Sequence, residues 1–155
     1  MGKSHNVAAI IIVTLCIWLM PLQGHCQENI SKGLQWLISV QNADGSWGNW
    51  AVPVLRDTTA VADTLQILSP SSSAYSTALQ WLATTSLINN DYAARRLYTF
   101  SKTTYDASSD LNVFMAGRKS DGGWGLDLDH ESAPLDTALA LQALKAVNYS
   151  DQTVI

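Results

Sequence analysis

Cysteine is nearly absent from this sequence. The chain has 155 residues and two cysteines, Cys16 and Cys26, which both lie within the first 26 residues. Residues 27–155 therefore contain no disulfide, no thiolate metal site and no cysteine nucleophile. The same range has a single histidine, His130. Every site chemistry that depends on a thiol is excluded from it.

Basic residues are also few. Nine lysines and arginines stand against thirteen aspartates and glutamates, which gives a formal net charge of −4. No segment gathers the basic residues into a patch, and nucleic-acid binding depends on such a patch. We therefore expect no nucleic-acid partner.

A long apolar run is found only near the N-terminus. Lys3 precedes the apolar residues 7–20, and the small-residue pattern Gly24-His25-Cys26 follows them. A charged start, a short apolar core and a cleavable end predict a signal peptide over residues 1–26. Lipid modification of Cys26 and an uncleaved membrane anchor are the weaker alternatives. We expect residues 27–155 to form one domain that is secreted, periplasmic or at the cell surface, without membrane contact after cleavage.

One five-residue pattern occurs twice in the rest of the chain. Asp44-Gly45-Ser46-Trp47-Gly48 returns as Asp121-Gly122-Gly123-Trp124-Gly125, 77 residues later. The first copy follows a stretch with helical apolar spacing, from Leu34 to Gln41. The glycine after each aspartate suits the positive φ that ends a helix, and the tryptophan suits an apolar plug that folds back. Two copies of this pattern indicate an internal repeat.

Helical segments account for nearly all of residues 27–155. The tetrapeptide Leu34-Gln35-Trp36-Leu37 recurs as Leu79-Gln80-Trp81-Leu82, and strand-like alternation of β-branched residues is absent. We predict helices over residues 30–41, 60–68, 74–85, 92–101, 111–118 and 137–147. Their order predicts an all-α fold of three tandem αα-hairpins.

Polar residues ahead of the helices predict where the helices start. Asp57 and Asp136 are predicted to be helix N-caps, each worth about 1 kcal/mol. The serines of residues 69–73, the segment 89–91 and the segment 108–110 are predicted to cap the third, fourth and fifth helices. Arg95 and Arg96, one turn after Asp91, are most simply interpreted as a solvated helix face.

The segment from Lys32 to Trp47, Lys-Gly-x-x-Trp-Leu-x-x-x-Gln-x-x-x-Gly-x-Trp, resembles the QW repeat of squalene and terpene cyclases. Residues 136–141 resemble the Asp-Thr-Ala start of an inner helix in the same superfamily, which includes the protein prenyltransferase β subunits. The structural motif comprises Gln41, Gly45, Trp47, Asp57, Asp121, Gly122, Trp124 and Asp136.

This resemblance implies an (α/α)6 toroid, whose helices form two concentric layers. Residues 27–155 would supply about half of such a ring. Because each repeat buries its apolar face against its neighbours, we expect an incomplete ring with an exposed apolar face at each end. The rest of a longer chain, or self-association, would close the toroid.

The chemistry of the resembled families needs residues that this sequence does not supply. Cyclases that protonate an alkene share an Asp-x-Asp-Asp-Thr-Ala motif, and the acid of that motif falls on Leu135 in one alignment and on Arg56 in the other. The zinc site of prenyltransferases uses Asp, Cys and His, and residues 27–155 lack cysteine. We therefore expect no cofactor, and no residue is assigned as a zinc ligand.

One acidic cluster follows the second tryptophan motif. Asp127, Asp129 and His130 lie within four residues of one another. They could hold a divalent cation, or act as an acid and base pair. A solvated loop between helices is the simpler interpretation, and no residue is assigned as catalytic. Similarly, the tryptophans could line an apolar cavity, but packing between helices is the favoured role for them.

These observations support two functions from different classes. The favoured one is a secreted α/α-toroid repeat module that lacks the catalytic acid and zinc ligands, and that binds a partner or holds shape within a longer secreted protein. The alternative is the N-terminal part of a terpene-cyclase-like isomerase or lyase that acts on polyprenyl substrates. Whether the chain is an enzyme is left open, with a non-catalytic role preferred.

Overall fold

The structure, a computed structural model, describes residues 27–49 and 54–150. The predicted signal peptide, with Cys16 and Cys26, lies outside the described residues, and so does Trp50. The described residues form six helices and no strand. They are α1 over residues 27–39, α2 Val54–Leu68, α3 Ser73–Thr84, α4 Asn90–Phe100, α5 Ser108–Ala116 and α6 Pro134–Ala146.

The predicted all-α fold is confirmed for the described residues. None of the helices in the described ranges has the length and apolar character needed to cross a bilayer. Contacts divide the chain after Val40 into two compact units.

The first unit contains α1. Its surface carries an i,i+4 ion pair between Glu28 and Lys32, with the charged atoms 2.7 Å apart and both side chains exposed. The Trp36 side chain is 62% exposed. Within this unit Trp36 therefore does not show the packing predicted for the tryptophans.

The second unit, from Gln41 onward, is organised around α4. This helix contacts α2 on one side and α6 on the other, and it also contacts α5, while α3 packs against α2. The even-numbered helices α2, α4 and α6 therefore form a row with α4 in the middle. Nearly every residue of α4 is buried, including polar ones, as expected for a helix with neighbours on several sides.

One hydrophobic core cluster lies between α4, α5 and α6. Trp124 fills its centre with no exposed surface, and its ring stacks on Phe114 with centroids 5.3 Å apart. Its indole Nε1–H donates to the Phe114 carbonyl at 3.1 Å, so the one polar atom of the side chain is satisfied. The other buried members of this cluster are Ala93, Ala94, Leu97, Ala140, Ala143 and Leu144. Packing is thus confirmed for Trp124, and Trp47 is similarly buried.

Two of the predicted helix caps are confirmed. The Ser72 side chain accepts a hydrogen bond from the Tyr75 backbone N–H at 3.2 Å, and the Asn89 side chain accepts one from Tyr92 at 2.8 Å. Each side chain satisfies a backbone donor that the first turn of a helix leaves without an intrahelical partner.

Three other predicted caps are wrong. Helix α2 begins at Val54, so Asp57 lies in its first turn rather than before it. Helix α6 begins at Pro134, whose fixed φ suits the first helical position, and Asp136 is two residues further on. Helix α5 already includes Ser108–Asp110, because its N-cap is Ala107 and makes no side-chain hydrogen bond.

Candidate functional site

The acidic cluster after Trp124 forms a turn that is largely exposed to solvent. Asp127 Oδ1 accepts the Asp129 backbone N–H at 2.9 Å and lies 2.6 Å from His130 Nδ1. Hydrogen bonds from His130 and Asp129 lower the pKa of Asp127, and the Asp127 carboxylate raises the pKa of His130. Residues 27–49 and 54–150 contain no group of three His, Cys, Asp or Glu side chains arranged to hold a metal. The side chains of Asp127 and His130 are therefore used in hydrogen bonds within the turn itself.

The two Asp-Gly-x-Trp-Gly loops fold alike. In the first, Asn42 N–H donates to the Ser46 carbonyl and Gly45 N–H donates back to Asn42, both at 2.9 Å. The second repeats this pattern between Lys119 and Gly123 at 2.9 Å, and between Gly122 and Lys119 at 3.0 Å. The sequence repeat is therefore also a structural repeat.

The aspartate of each loop holds the backbone of its turn. Asp44 Oδ1 accepts the Ser46 N–H at 3.0 Å, and Asp121 Oδ1 accepts the Gly123 N–H at 2.9 Å. A hydroxyl joins each carboxylate, from Ser46 in the first loop and from Ser132 in the second. Hydrogen bonds to the ionised form lower the pKa of both aspartates. These carboxylates are used as structural acceptors.

The predicted positive φ of the loop glycines is confirmed, at +94° for Gly45 and +90° for Gly122. Gly45 also approaches α3 closely, since a Cβ there would lie 2.7 Å from the Thr77 carbonyl oxygen. Gln41 Nε2 lies within hydrogen-bond distance of the Gly45 and Ala74 carbonyls, both at 2.9 Å. The first loop is thereby tied to α3.

A threonine from the following even-numbered helix holds each tryptophan. The Thr58 hydroxyl accepts the Trp47 backbone N–H at 2.9 Å, and the Thr137 hydroxyl accepts the Trp124 N–H at 3.0 Å. Each hydroxyl then donates to the carbonyl of the same tryptophan, at 3.4 Å and 3.2 Å. The threonine of the Asp-Thr pair thus has a structural role in both repeats.

A third aspartate lies in the first turn of α4, as Asp57 does in α2 and Asp136 does in α6. This residue, Asp91, has a side chain with no exposed surface. Arg56 Nε lies 2.6 Å from its Oδ2, and Arg95 Nε lies 2.9 Å from its Oδ1. The prediction of a solvated helix face at Asp91 and Arg95 is therefore wrong, because Arg56 of α2 covers the carboxylate from a neighbouring helix.

Asp136 belongs to the same charged group. Burial raises the pKa of Asp136, and the negative charge of Asp91 raises it further, while Arg56 lowers it. Asp91 in turn raises the pKa of Arg56. The structure therefore brings together Arg56, Asp91, Arg95 and Asp136 from three helices. Matching the Asp-Tyr-Ala of residues 91–93 to the Asp-Thr-Ala of residues 136–138 would have revealed Asp91 from the sequence.

Arg96 points away from that group and is buried. Its Nε and Nη2 bind the two carboxylate oxygens of Asp110 at 2.7 Å and 2.5 Å, and its Nη1 donates to the Leu82 and Thr85 carbonyls. One guanidinium thus joins α3, α4 and α5, a use of arginine as a planar fork. The prediction of a solvated face is wrong for Arg96 too.

Comparisons with known proteins found no relative of this chain. No family model matches the chain, and neither a curated protein nor a solved structure matches it.

Proposed function

We propose that the chain is a segment of a secreted α/α toroid of the squalene cyclase and prenyltransferase type, which serves a longer secreted protein as a binding or structural module. Secretion is proposed from Lys3 and the apolar residues 7–20. The observation that carries the proposal is the repeated tryptophan loop, because each loop is held by the threonine of the next even-numbered helix.

The packing of the second unit supports a two-layer arrangement. Helices α2, α4 and α6 follow one another side by side, as inner helices do in a toroid, while α3 packs on α2 and α5 packs on α4. Asp57, Asp91 and Asp136 lie in the first turns of the three helices of the row. An aspartate in the first turn of three successive helices of the row supports a common repeat.

The motif residues support a non-catalytic role. Asp44, Asp121, Thr58 and Thr137 are all occupied by hydrogen bonds within the loops. Leu135 occupies the position of the alkene-protonating acid in one alignment, and a leucine cannot donate a proton. Arg56 occupies that position in the other alignment and pairs with Asp91.

The solvent-exposed face of α6 has the character of a surface that packs against another helix. Leu135 and Leu141 are 58% and 48% exposed, and Ala138 lies between them on the same exposed stripe. An aliphatic stripe at helical spacing is typical of a helix that packs against another. In this proposal a further repeat covers it, either from the rest of a longer chain or from a second copy.

The test of the non-catalytic role is a direct assay. Purified chain is incubated with squalene and with farnesyl diphosphate, and the organic extract is analysed by mass spectrometry. We expect no cyclised or transferred product. Turnover that disappears in Asp127→Asn or Asp129→Asn would overturn the proposal in favour of the isomerase or lyase alternative.

The proposal of an incomplete ring is tested by measuring the oligomeric state of the purified chain. Sedimentation of residues 27–155 should show self-association that Leu141→Asp abolishes, because the charge would interrupt the apolar stripe. Ile67→Asp is the matched control, since Ile67 is an exposed aliphatic residue at the end of α2. Self-association that persists unchanged in Leu141→Asp would contradict the assignment of this face.

A further inference from the structure

Two arginines share one buried carboxylate in the row of even-numbered helices. Arg56 of α2 binds Asp91 Oδ2 and Arg95 of α4 binds Asp91 Oδ1, each through its Nε. The Asp91 side chain has no exposed surface. A single negative charge thus fixes the position of two positive ones, and neither guanidinium is free to turn away.

Among the residues that the structure describes, these two side chains use only a small part of their hydrogen-bonding capacity. A guanidinium has five N–H donors, and Arg56 and Arg95 each donate one of them to Asp91. Across residues 27–49 and 54–150, neither terminal pair of Nη groups has a hydrogen-bond acceptor. The Arg56 and Arg95 side chains are 43% and 27% exposed, so these donors can be reached from solvent.

Arg95 also lines a cleft between α2, α4 and α6. The cleft has a volume of about 200 Å³, and its walls include Thr59, Tyr98, Leu139 and Gln142. Both apolar and hydrogen-bonding side chains are present, which is typical of small-molecule sites. Its volume suits a small organic group rather than a polymer.

Acidic residues near the arginine pair determine how favourable the site is for an anion. Asp136 of α6 is close enough to Asp91 and Arg56 for their charges to shift its pKa. Asp63, on the wall of the cleft, is paired with Lys102 at 3.2 Å. Asp136 is thus a negative group beside the arginine pair that would oppose an added anion, and its removal should strengthen anion binding.

We propose that Arg56 and Arg95 form a binding site for the oxyanion group, carboxylate or phosphate, of a small organic molecule whose remainder occupies the cleft. Guanidinium groups bind such oxyanions with paired donors. The shared bond to Asp91 holds both side chains before the ligand arrives, which lowers the entropic cost of binding. The proposal rests on the binding module proposed above and names the class of ligand that the module would bind. The site needs only α2, α4 and α6, so it does not depend on closure of a toroid.

Calorimetric titration of the purified chain at pH 7 tests the site. The probes are sulfate, inorganic phosphate and benzoate, of which only benzoate has an apolar part for the cleft. We expect saturable binding at one site. Tighter binding of benzoate than of sulfate or phosphate would assign a carboxylate ligand, and tighter binding of phosphate would assign a phosphate ligand.

Three variants locate the binding. Arg95→Gln should weaken the affinity about tenfold, because it removes a charge-assisted pair of donors. Lys145→Gln removes the same charge from an exposed residue of α6 and should leave the affinity unchanged. Asp136→Asn keeps both arginines and their bonds to Asp91, and it should tighten binding about threefold by removing an opposing charge.

If Arg95→Gln fails to fold, the affinity of the Asp136→Asn variant still tests the site. Wild-type chain that binds none of the three anions at millimolar concentration would overturn the site. An equal loss of affinity in Arg95→Gln and Lys145→Gln would also overturn it, since that result indicates a general charge effect. So would an Asp136→Asn variant that binds no more tightly than the wild type.

Discussion

The Thr137 hydroxyl lies 3.0 Å from the Trp124 backbone nitrogen and 3.2 Å from the Trp124 carbonyl oxygen, so one side chain both accepts from and donates to one residue. The same exchange links Thr58 to Trp47 in the preceding copy of the motif. Because the tryptophan is a loop residue and the threonine is helical, this pair of bonds fixes the loop onto the start of the next helix of the row.

Replacing Thr137 by valine should therefore destabilise the fold by about 1–3 kcal/mol. Valine has a similar shape but leaves the Trp124 N–H without its acceptor, and an unsatisfied buried donor costs about that much. The Trp124 carbonyl keeps the Ala133 N–H at 2.8 Å, so the loss falls mainly on the donor. Urea unfolding measures the change. Thr137→Ser keeps the hydroxyl and should cost less, whereas a valine variant as stable as the wild type would show that the hydroxyl does not hold the loop.

Much of the fold could be predicted from the sequence because its signals are local. Helical periodicity, the Asp-Gly turns and the Ser72 and Asn89 caps each depend on residues within a few positions of one another. The recurrence of Asp-Gly-x-Trp-Gly also indicated that two loops would fold alike, and their hydrogen bonds do match.

The charged pairs could not be predicted in the same way. Arg56 and Asp91 are 35 residues apart, and Arg96 and Asp110 are 14 apart, so each contact depends on how two helices pack. Burial of Asp91 likewise follows from α4 having neighbours on both sides. The sequence shows only that these residues are charged. Whether they form a solvated face or a buried ion pair depends on the helices that pack around them.

The two loop glycines should differ in their tolerance of alanine. Both have positive φ, which costs a non-glycine residue about 1–2 kcal/mol. At Gly45 a Cβ would also lie 2.7 Å from the Thr77 carbonyl oxygen, whereas at Gly122 the nearest atom is Arg118 Nη2, 3.5 Å away. We therefore expect Gly45→Ala to destabilise the protein more than Gly122→Ala in thermal unfolding.

The helical residue Gly33 provides the control for the two loop substitutions. A Cβ at Gly33 would meet no atom within 4 Å, and α1 has ordinary helical backbone there. Gly33→Ala should stabilise the helix by up to about 1 kcal/mol. Equal losses at Gly45 and Gly122 would show that backbone conformation alone, without the approach to α3, determines the cost.

The ion pair of Arg96 and Asp110 should be the most sensitive to loss of one partner. Their side chains are 9% and 12% exposed. Arg96→Met should cost about 3–5 kcal/mol, because it leaves the Asp110 carboxylate buried without its partner. The double variant Arg96→Met with Asp110→Leu should recover much of that loss, since the uncompensated charge is gone.

The exposed pair of Glu28 and Lys32 is the comparison for this experiment. Its side chains are 61% and 71% exposed, and exposed ion pairs contribute at most about 1 kcal/mol. Lys32→Met should therefore change the stability very little. If Arg96→Met proved as mild as Lys32→Met in urea unfolding, the buried pair would not hold α4 and α5 together.

The pairing of His130 with Asp127 should be visible as a shifted titration. Because Asp127 raises the pKa of His130, the favourable interaction is fully present below the unfolded histidine value of about 6.5 and is lost as the pH rises through the folded value. Because the pKa of Asp127 is lowered, the interaction is present above about 3.9 and is lost as the pH falls through the folded value of Asp127. The interaction is therefore greatest at mildly acid pH.

Proton NMR of the imidazole checks this shift directly. In Asp127→Asn the midpoint of His130 should fall toward about 6.5, because the charge and the acceptor carboxylate are both gone. Asp129→Asn should lower it less, since Asp129 acts on His130 through charge alone. High salt should reduce the shift in the wild type, as screening does for exposed charges. A His130 midpoint that does not move in Asp127→Asn would mean that the two side chains are not paired in solution.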